Sequence, residues 1–271
     1  MQPKEAFKFT GADAEYYDQY LGPILFEPYG KYLASLIDVA DNSSVLEIAC
    51  GTGRVTRHLR RALPGSVRVV ATDLSSDMMD VAKRGIDNTG IEFRTEDAQN
   101  LSFADNTFDL VICQFGMMFL PDKAKGFSEV YRVLKPGGKF LSFTWDDTLN
   151  IPLYKLLVND LILPHFADED TTRFFTPFAM HDPAELQEWM SNAGFTHIEV
   201  KHVALRSGPH DRQDSVNAFF RKHRLGKELE AKDGSAFEPT AQKFEEEIAK
   251  RFGGDTPIFD LSALLTAGVK A

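Results

Sequence analysis

Between residues 45 and 145, short apolar runs alternate with stretches whose apolar residues recur at three- and four-residue spacing. This is the pattern of a parallel sheet carrying helices on its faces. Residues 45–50, 67–73, 91–95, 108–114 and 139–145 read as five strands, near-continuous in Val, Ile and Phe as strands covered on both faces must be. Residues 54–63, 76–84 and 123–134 read as the helices between them, the last with Phe127, Val130, Tyr131 and Leu134 on one face. Pro136-Gly137-Gly138 is expected to stop that helix and turn the chain into the fifth strand. Beyond Trp145, residues 151–163 read as helical and residues 168–180 as polar and Phe-rich. A helix follows with Asp182 as N-cap, Pro183 at its first position, Leu186, Trp189, Met190 and Ala193 on its apolar face, and Gly194 as its stop. Residues 196–205 and 258–269 read as two further strands, separated by a polar insertion with helical patterns at 215–225 and 237–252.

Composition narrows the functions this pattern could serve. With 30 Lys+Arg against 40 Asp+Glu the net charge is −10, and no basic run concentrates positive charge, so a protein held on nucleic acid or an anionic membrane is not expected. Cys50 and Cys113 are the two cysteines and form no metal-ligand spacing, which fits a reducing cytoplasm and no metal site. Neither an apolar leader nor a long apolar span is evident, so no membrane insertion is expected. Phenylalanine is abundant, 22 against 7 Tyr and 2 Trp. Aromatics cluster at Phe7, Phe9, Tyr16, Tyr17, Tyr20, Phe26, Tyr29 and Tyr32, and again at Phe166, Phe174, Phe175 and Phe178. These two clusters are expected to cover a cleft and to favour an apolar, aromatic or isoprenoid-like ligand.

The candidate chemistry begins where the first strand runs into Gly51-Thr52-Gly53 and then a helix. In an open parallel sheet that turn brings bare backbone to a nucleotide-like ligand. Asp73, 20 residues past Gly53, is placed to accept the two hydroxyls of a ribose, and Asp97, after the third strand, to meet a base. Thr56 stands where a dinucleotide fingerprint needs its third glycine, which weighs against NAD. Glu47, an acid just before the loop, suits a ligand carrying an ammonium or sulfonium better than a pyrophosphate.

The segments VLEIACGTGRVT, ATDLSSDMMDVAK, TEDAQNLSFADNTFDLVICQFGMMFLPD and EVYRVLKPGGKF resemble the class I S-adenosylmethionine-dependent methyltransferases, in the branch of the ubiquinone/menaquinone-biosynthesis C-methyltransferases. The resemblance spans about residues 45–145, with a weaker echo in PAELQEWMSNAGF. It implies a Rossmann-like, doubly wound α/β fold: a mostly parallel seven-stranded sheet with helices on both faces, a helical arm over residues 1–40, and a domain over 41–271. Insertions at about 147–181 and 207–256 would form a lid. It implies S-adenosyl-L-methionine as cofactor and S-adenosyl-L-homocysteine as product. Glu47 would orient the loop and lie near the methionine amino group, while Ala49, Cys50, Gly51, Thr52 and Gly53 would pass under the methionine part. Asp73 would take the ribose, Leu74 and Met78 would flank the adenine, Asp97 with the Ala98 N–H would read its edge, and Gln114 would contribute backbone near the sulfonium. Tyr17, then Tyr16, would close over the cofactor from the arm.

Methyl transfer needs mainly alignment, worth about 7–11 kcal/mol of the barrier, and a base only if the nucleophile arrives protonated. His165 is the first candidate for that base and His181 the second. The expectation is therefore a methyltransferase acting on an O or C nucleophile of a small hydrophobic or aromatic molecule, as a monomer or homodimer. An S-adenosylmethionine-binding module without turnover is the first alternative, and an NAD(P)-dependent oxidoreductase the second.

Overall fold

The computed structural model describes residues 11–87 and 89–271, with backbone only for Gly11 and Ala12. Phe7 and Phe9 lie outside the described residues.

Seven strands form one sheet in the order β3-β2-β1-β4-β5-β7-β6: β1 (Ser44–Ile48), β2 (Arg68–Asp73), β3 (Ile91–Thr95), β4 (Phe108–Gln114), β5 (Leu134–Trp145), β6 (Phe195–Arg206) and β7 (Asp260–Lys270). β3, β2, β1, β4 and β5 are parallel, while β7 enters antiparallel between β5 and β6. The order reverses between β1 and β4, so the carboxyl ends of β1, β2 and β4 open onto one crevice. The connecting helices are α3 (Arg54–Ala62), α4 (Ser76–Gly85), α5 (Lys123–Val133) and α7 (Pro183–Ala193), and the expected doubly wound plan is the observed one.

Local chemistry explains the element ends. The Ser75 hydroxyl accepts from Met78 N to start α4, and Asp122 and Asp182 cap α5 and α7 in the same way. Gly194 stops α7 in the left-handed conformation. One boundary differs from the sequence pattern. α5 ends at Val133, before the Pro-Gly-Gly turn, because Leu134 already pairs with Phe108 and the strand runs through the turn with Gly137 at φ +77°.

The arm comprises α1 (Gly11–Tyr16), a wider π-helical stretch (Tyr17–Phe26) and α2 (Glu27–Ser35). After β5 the chain forms short turns, α6 (Pro152–Tyr154), a π-helical continuation (Lys155–Ile162) and the 3₁₀ turns Leu163–Phe166 and Thr172–Phe178. The insertion between β6 and β7 holds α8 (Arg212–Val216), a π turn (Asn217–Arg221), α9 (Arg224–Lys232) and α10 (Gly234–Phe252). α9 was not legible as a separate helix, since its apolar positions reduce to Leu225, Gly226 and Leu229. No helix among the described residues is long and apolar enough to cross a membrane.

Candidate functional site

The β1–β3 side of the crevice is built from backbone in unusual conformations. Ala49 and Gly51 have φ +54° and Gly53 has φ +77°. A left-handed alanine is costly for an L-residue, and such residues persist where the surroundings force them. A Cβ on Gly53 would lie 2.4 Å from Ile86 Cδ1 and 3.0 Å from Ala82 Cβ, so only glycine lets α3 begin here against α4. Thr52 is buried and its hydroxyl has no hydrogen-bond partner.

Asp73 ties this loop to the next. Its Oδ2 accepts from Gly51 N and its Oδ1 from Ser75 N, each at 2.8 Å. Burial raises its pKa, with those backbone bonds opposing. Leu74 beside it is 59% exposed, a large apolar side chain held in water by a turn that the Asp73 carboxylate fixes, and Met78 reaches back toward Gly51. Across β3, Asp97 Oδ1 accepts from Gln99 N at 2.9 Å and Ala98 is buried at the same turn.

Glu47 is 2% exposed and accepts from the Thr56 hydroxyl at 2.7 Å. Burial pushes its pKa up to about 8, with the Asp73 charge adding to the rise and the Thr56 bond opposing it. Thr56 thus does more than displace a dinucleotide glycine, because it supplies the hydroxyl that holds this acid.

On the β4 side, Gln114 donates from Nε2 to Phe26 O at 3.0 Å while its buried Oε1 has no partner. Phe115 is a second non-glycine residue in the left-handed region, at φ +57°, and its ring stacks on Trp145 at 3.9 Å. A Cβ on Gly116 would lie 2.4 Å from Ala49 Cβ and 2.7 Å from Cys113 Sγ, so the loops after β1 and β4 are in van der Waals contact at that glycine.

The arm is locked over these loops by charge. Arg54, at the start of α3, pairs with Asp18 at 2.7 Å and Glu27 at 3.5 Å, and His58 meets Glu27 at 2.8 Å. Gly22 leaves room for the Arg54 guanidinium, which a Cβ there would meet at 2.6 Å. Tyr17 stacks on Phe26 at 4.8 Å, and its phenol is raised by burial and then by the charge of Asp73 and by Tyr154. Tyr16 instead donates to the backbone carbonyls of Asn217 and Ala218 in the far insertion. Of the two arm tyrosines, Tyr17 is therefore the one beside Asp73. The clamp residues Asp18, Glu27, Arg54 and His58 escaped the sequence reading, although Arg54, Arg57, His58 and Arg61 recur on one helical face.

A cavity of about 670 Å³ lies under the post-β5 segment, with Met118, Phe119, Leu149, Phe175 and Phe178 as apolar wall. Lys123, Asp147, Asn159, His181 and Arg224 supply its charged and polar groups. Tyr154 backs the wall of this cavity, its ring meeting Phe178 at 4.8 Å, and the loop after β4 joins the cavity to the crevice, with Gly116 against Ala49 and Met118 on the cavity wall. The two expected histidines separate here. His181 lines the cavity, whereas His165 Nε2 lies 3.4 Å from the Thr240 hydroxyl of α10, among residues that do not line it. The turn that carries His165 packs Phe166 on Phe174 at 4.9 Å, with Lys232 of α9 over the Phe166 ring at 4.6 Å. The second Phe cluster divides in the same way: Phe175 and Phe178 line the cavity, while Phe166 and Phe174 are core, 2% exposed, beneath Arg173.

Comparison with known proteins speaks for the family and the fold. The methyltransferase-domain family matches residues 45–138. The demethylmenaquinone methyltransferase of Lactiplantibacillus plantarum is 31% identical over 189 residues, 63% of this chain and 78% of that protein. The ubiquinone/menaquinone biosynthesis C-methyltransferase UbiE of Klebsiella pneumoniae is 33% identical over 188 residues, 63% of this chain and 75% of that one. Among solved structures, phosphoethanolamine N-methyltransferase 2 of Haemonchus contortus with S-adenosyl-L-methionine superposes at a TM-score of 0.58 and 18% identity, over 96% of this chain and 57% of that one. The YcgJ protein of Bacillus subtilis superposes at 0.56 and 20%, over 89% and 98%. At these identities the solved structures speak for the fold.

Proposed function

The chain belongs to the class I S-adenosylmethionine-dependent methyltransferases and resembles their ubiquinone/menaquinone C-methyltransferase branch, and from that premise we propose that it methylates an O or C nucleophile of a small, largely apolar aromatic molecule held in the cavity beneath the post-β5 segment. The observation that carries this reading is the loop after β4, which touches the loop after β1 at Gly116 and, two residues on, lines the cavity with Met118 and Phe119.

The residues at the crevice fit the cofactor by their chemistry. Asp73 has remaining lone pairs for a ribose, beside an exposed Leu74 and a buried Met78 for the adenine, with Asp97 and Ala98 at its edge. Buried polar atoms without partners, Thr52 Oγ1 and Gln114 Oε1, flank the loop of left-handed Ala49, Gly51 and Gly53, in which Cys50 is buried. Glu47, a buried acid with its pKa pushed up, would be brought back to its ionised form by a cationic ammonium nearby. When bound, the cofactor supplies a methyl group activated by its sulfonium. The chain's own task is then alignment and exclusion of water, which Tyr17, Tyr154, Phe115 and the Arg54 clamp perform by covering the crevice.

Purified protein incubated with radiolabelled S-adenosyl-L-methionine and a panel of phenols, quinols, amines and polar hydroxy acids tests the reading. Transfer confined to the aromatic phenols and quinols is the expected result. Transfer to amines or polar acids alone would contradict it.

A further inference from the structure

We propose that His181 and Asp147 are the proton-accepting pair of this cavity, taking the proton of one hydroxyl of an aromatic diol whose second hydroxyl Asn159 holds; this rests on the methyl-transfer reading above. Each ring nitrogen of His181 has a distinct environment. Nδ1 lies 2.7 Å from Phe178 O, to which it donates, so the neutral ring carries its lone pair on Nε2. Nε2 lies 3.5 Å from Asp147 Oδ2. That is too long to be a good hydrogen bond, so Nε2 keeps its capacity for a proton, and close enough for the carboxylate to stabilise the charged ring once it forms.

Asp147 is itself fixed from behind. Asp146 accepts from Asp147 N at 2.7 Å, from Asn150 Nδ2 at 3.0 Å, from the Ser262 hydroxyl at 2.7 Å, and it meets His202 Nδ1 at 3.1 Å. Asp147 Oδ1 accepts from Leu149 N at 2.8 Å, which leaves Oδ2 toward His181. Around the same cavity, Asn159 Oδ1 is buried without a partner, an acceptor for a second hydroxyl of the incoming molecule, since the hydroxyl facing Nε2 has its one proton committed there. The charged groups sharing the cavity with His181 are Asp147, Lys123 at the start of α5 and Arg224 at the start of α9, with Asp146 behind and Asp182 next in the chain.

In the step this implies, the acceptor O–H proton passes to Nε2 and the bonding pair stays on oxygen. That oxygen would then be the nucleophile for the methyl group that a bound cofactor supplies; were a conjugated ring carbon methylated instead, the proton on that carbon would leave to water and restore the ring. The charge left on the imidazolium is balanced by Asp147, which is a positioning residue here.

A dye that reports its own ionisation gives a test apart from turnover. With 4-nitrophenol below its solution pKa, wild-type protein is expected to raise the bound phenolate fraction at least fivefold by visible absorbance, and His181→Gln and Asp147→Asn to lose that gain. In turnover, His181→Gln is expected to lower kcat/KM about 100-fold for weakly acidic phenols and less than threefold for phenols already ionised, with Asp147→Asn following the same trend more weakly. Asn159→Leu should raise KM and leave the dependence on acceptor acidity unchanged. Equal losses across the acidity series, or undiminished nitrophenolate in both variants, would overturn the proposal; circular dichroism confirms that the variants fold. Absence of methyl transfer by the wild type to every acceptor would instead strike the parent reading, while the dye signal still decides whether the pair accepts a proton.

Discussion

The two sides of the crevice are made of different material. Toward β1–β3 it is backbone: left-handed Ala49, Gly51 and Gly53, and a carboxylate, Asp73, spent on two main-chain N–H groups. Toward β4 and β5 it is side chains drawn from the arm, the post-β5 segment and the far insertion, as with Tyr17, Tyr154, Phe178 and Arg224. A backbone site tolerates little change because the conformations themselves require particular residues. A side-chain site can be altered one group at a time, which is where acceptor choice can vary.

The comparison breaks most severely at its seam. Gly116→Ala forces a Cβ against Ala49, in the loop after β1, and Cys113, buried in β4. We expect it to cost about 1–3 kcal/mol in urea unfolding and to weaken S-adenosylhomocysteine binding by tenfold or more. Arg54→Ala comes next, since it leaves Asp18 and Glu27 without their partly buried partner. About 1–3 kcal/mol should be lost, with hydrogen exchange rising mainly across residues 16–27. Should exchange rise equally in β1 and β2, the clamp would be holding the whole fold and not the arm.

Asp73 separates binding from folding. Asp73→Ala removes an acceptor from two backbone N–H groups and should cost about 1–3 kcal/mol as well as cofactor affinity. Asp73→Asn keeps an acceptor oxygen and should lose mainly affinity, read by calorimetry beside thermal unfolding. The loop and the ribose role were both to be expected of this residue, but its work in holding Gly51 appears only in three dimensions.

Glu47 gives a pH signature. Its folded-state pKa of about 8 lies above the ordinary carboxyl value of 4.5. Below that ordinary value both states carry the proton and the contribution is intact. As pH rises toward 8 the unfolded chain alone gives the proton up, so the cofactor-free protein should lose stability across that window while Glu47→Gln loses less. Cofactor binding near pH 7 should release a proton, visible as a buffer-dependent calorimetric enthalpy. The smallest effect is expected of Tyr16→Phe, about 1 kcal/mol at most, because its hydroxyl meets only the carbonyls of the Asn217 turn.

What could be read from the sequence follows the same division. Strand–glycine–helix spacing is local, so β1 to β4, the loop at Gly51 to Gly53 and Asp73 were all legible. The arm and the insertions were expected as covers, but their contacts were not legible, because pairs such as Tyr16 to Asn217 and His58 to Glu27 join segments with no mutual spacing rule. His165 and His181 looked alike as residues in one segment, and only the fold separates them, with the first beside Thr240 of α10 and the second on the cavity wall. The aromatic surplus divided for the same reason, half of the second cluster becoming core and half cavity wall.

If the proposed cofactor site lies at the carboxyl ends of β1 to β3 beneath the arm, hydrogen–deuterium exchange of the full chain with and without S-adenosylhomocysteine will show protection rising together at residues 49–53, 73–78, 97–99 and 16–27, and little change in α10. Protection confined to α9 and α10, or none across 49–53 at saturating ligand, would contradict it.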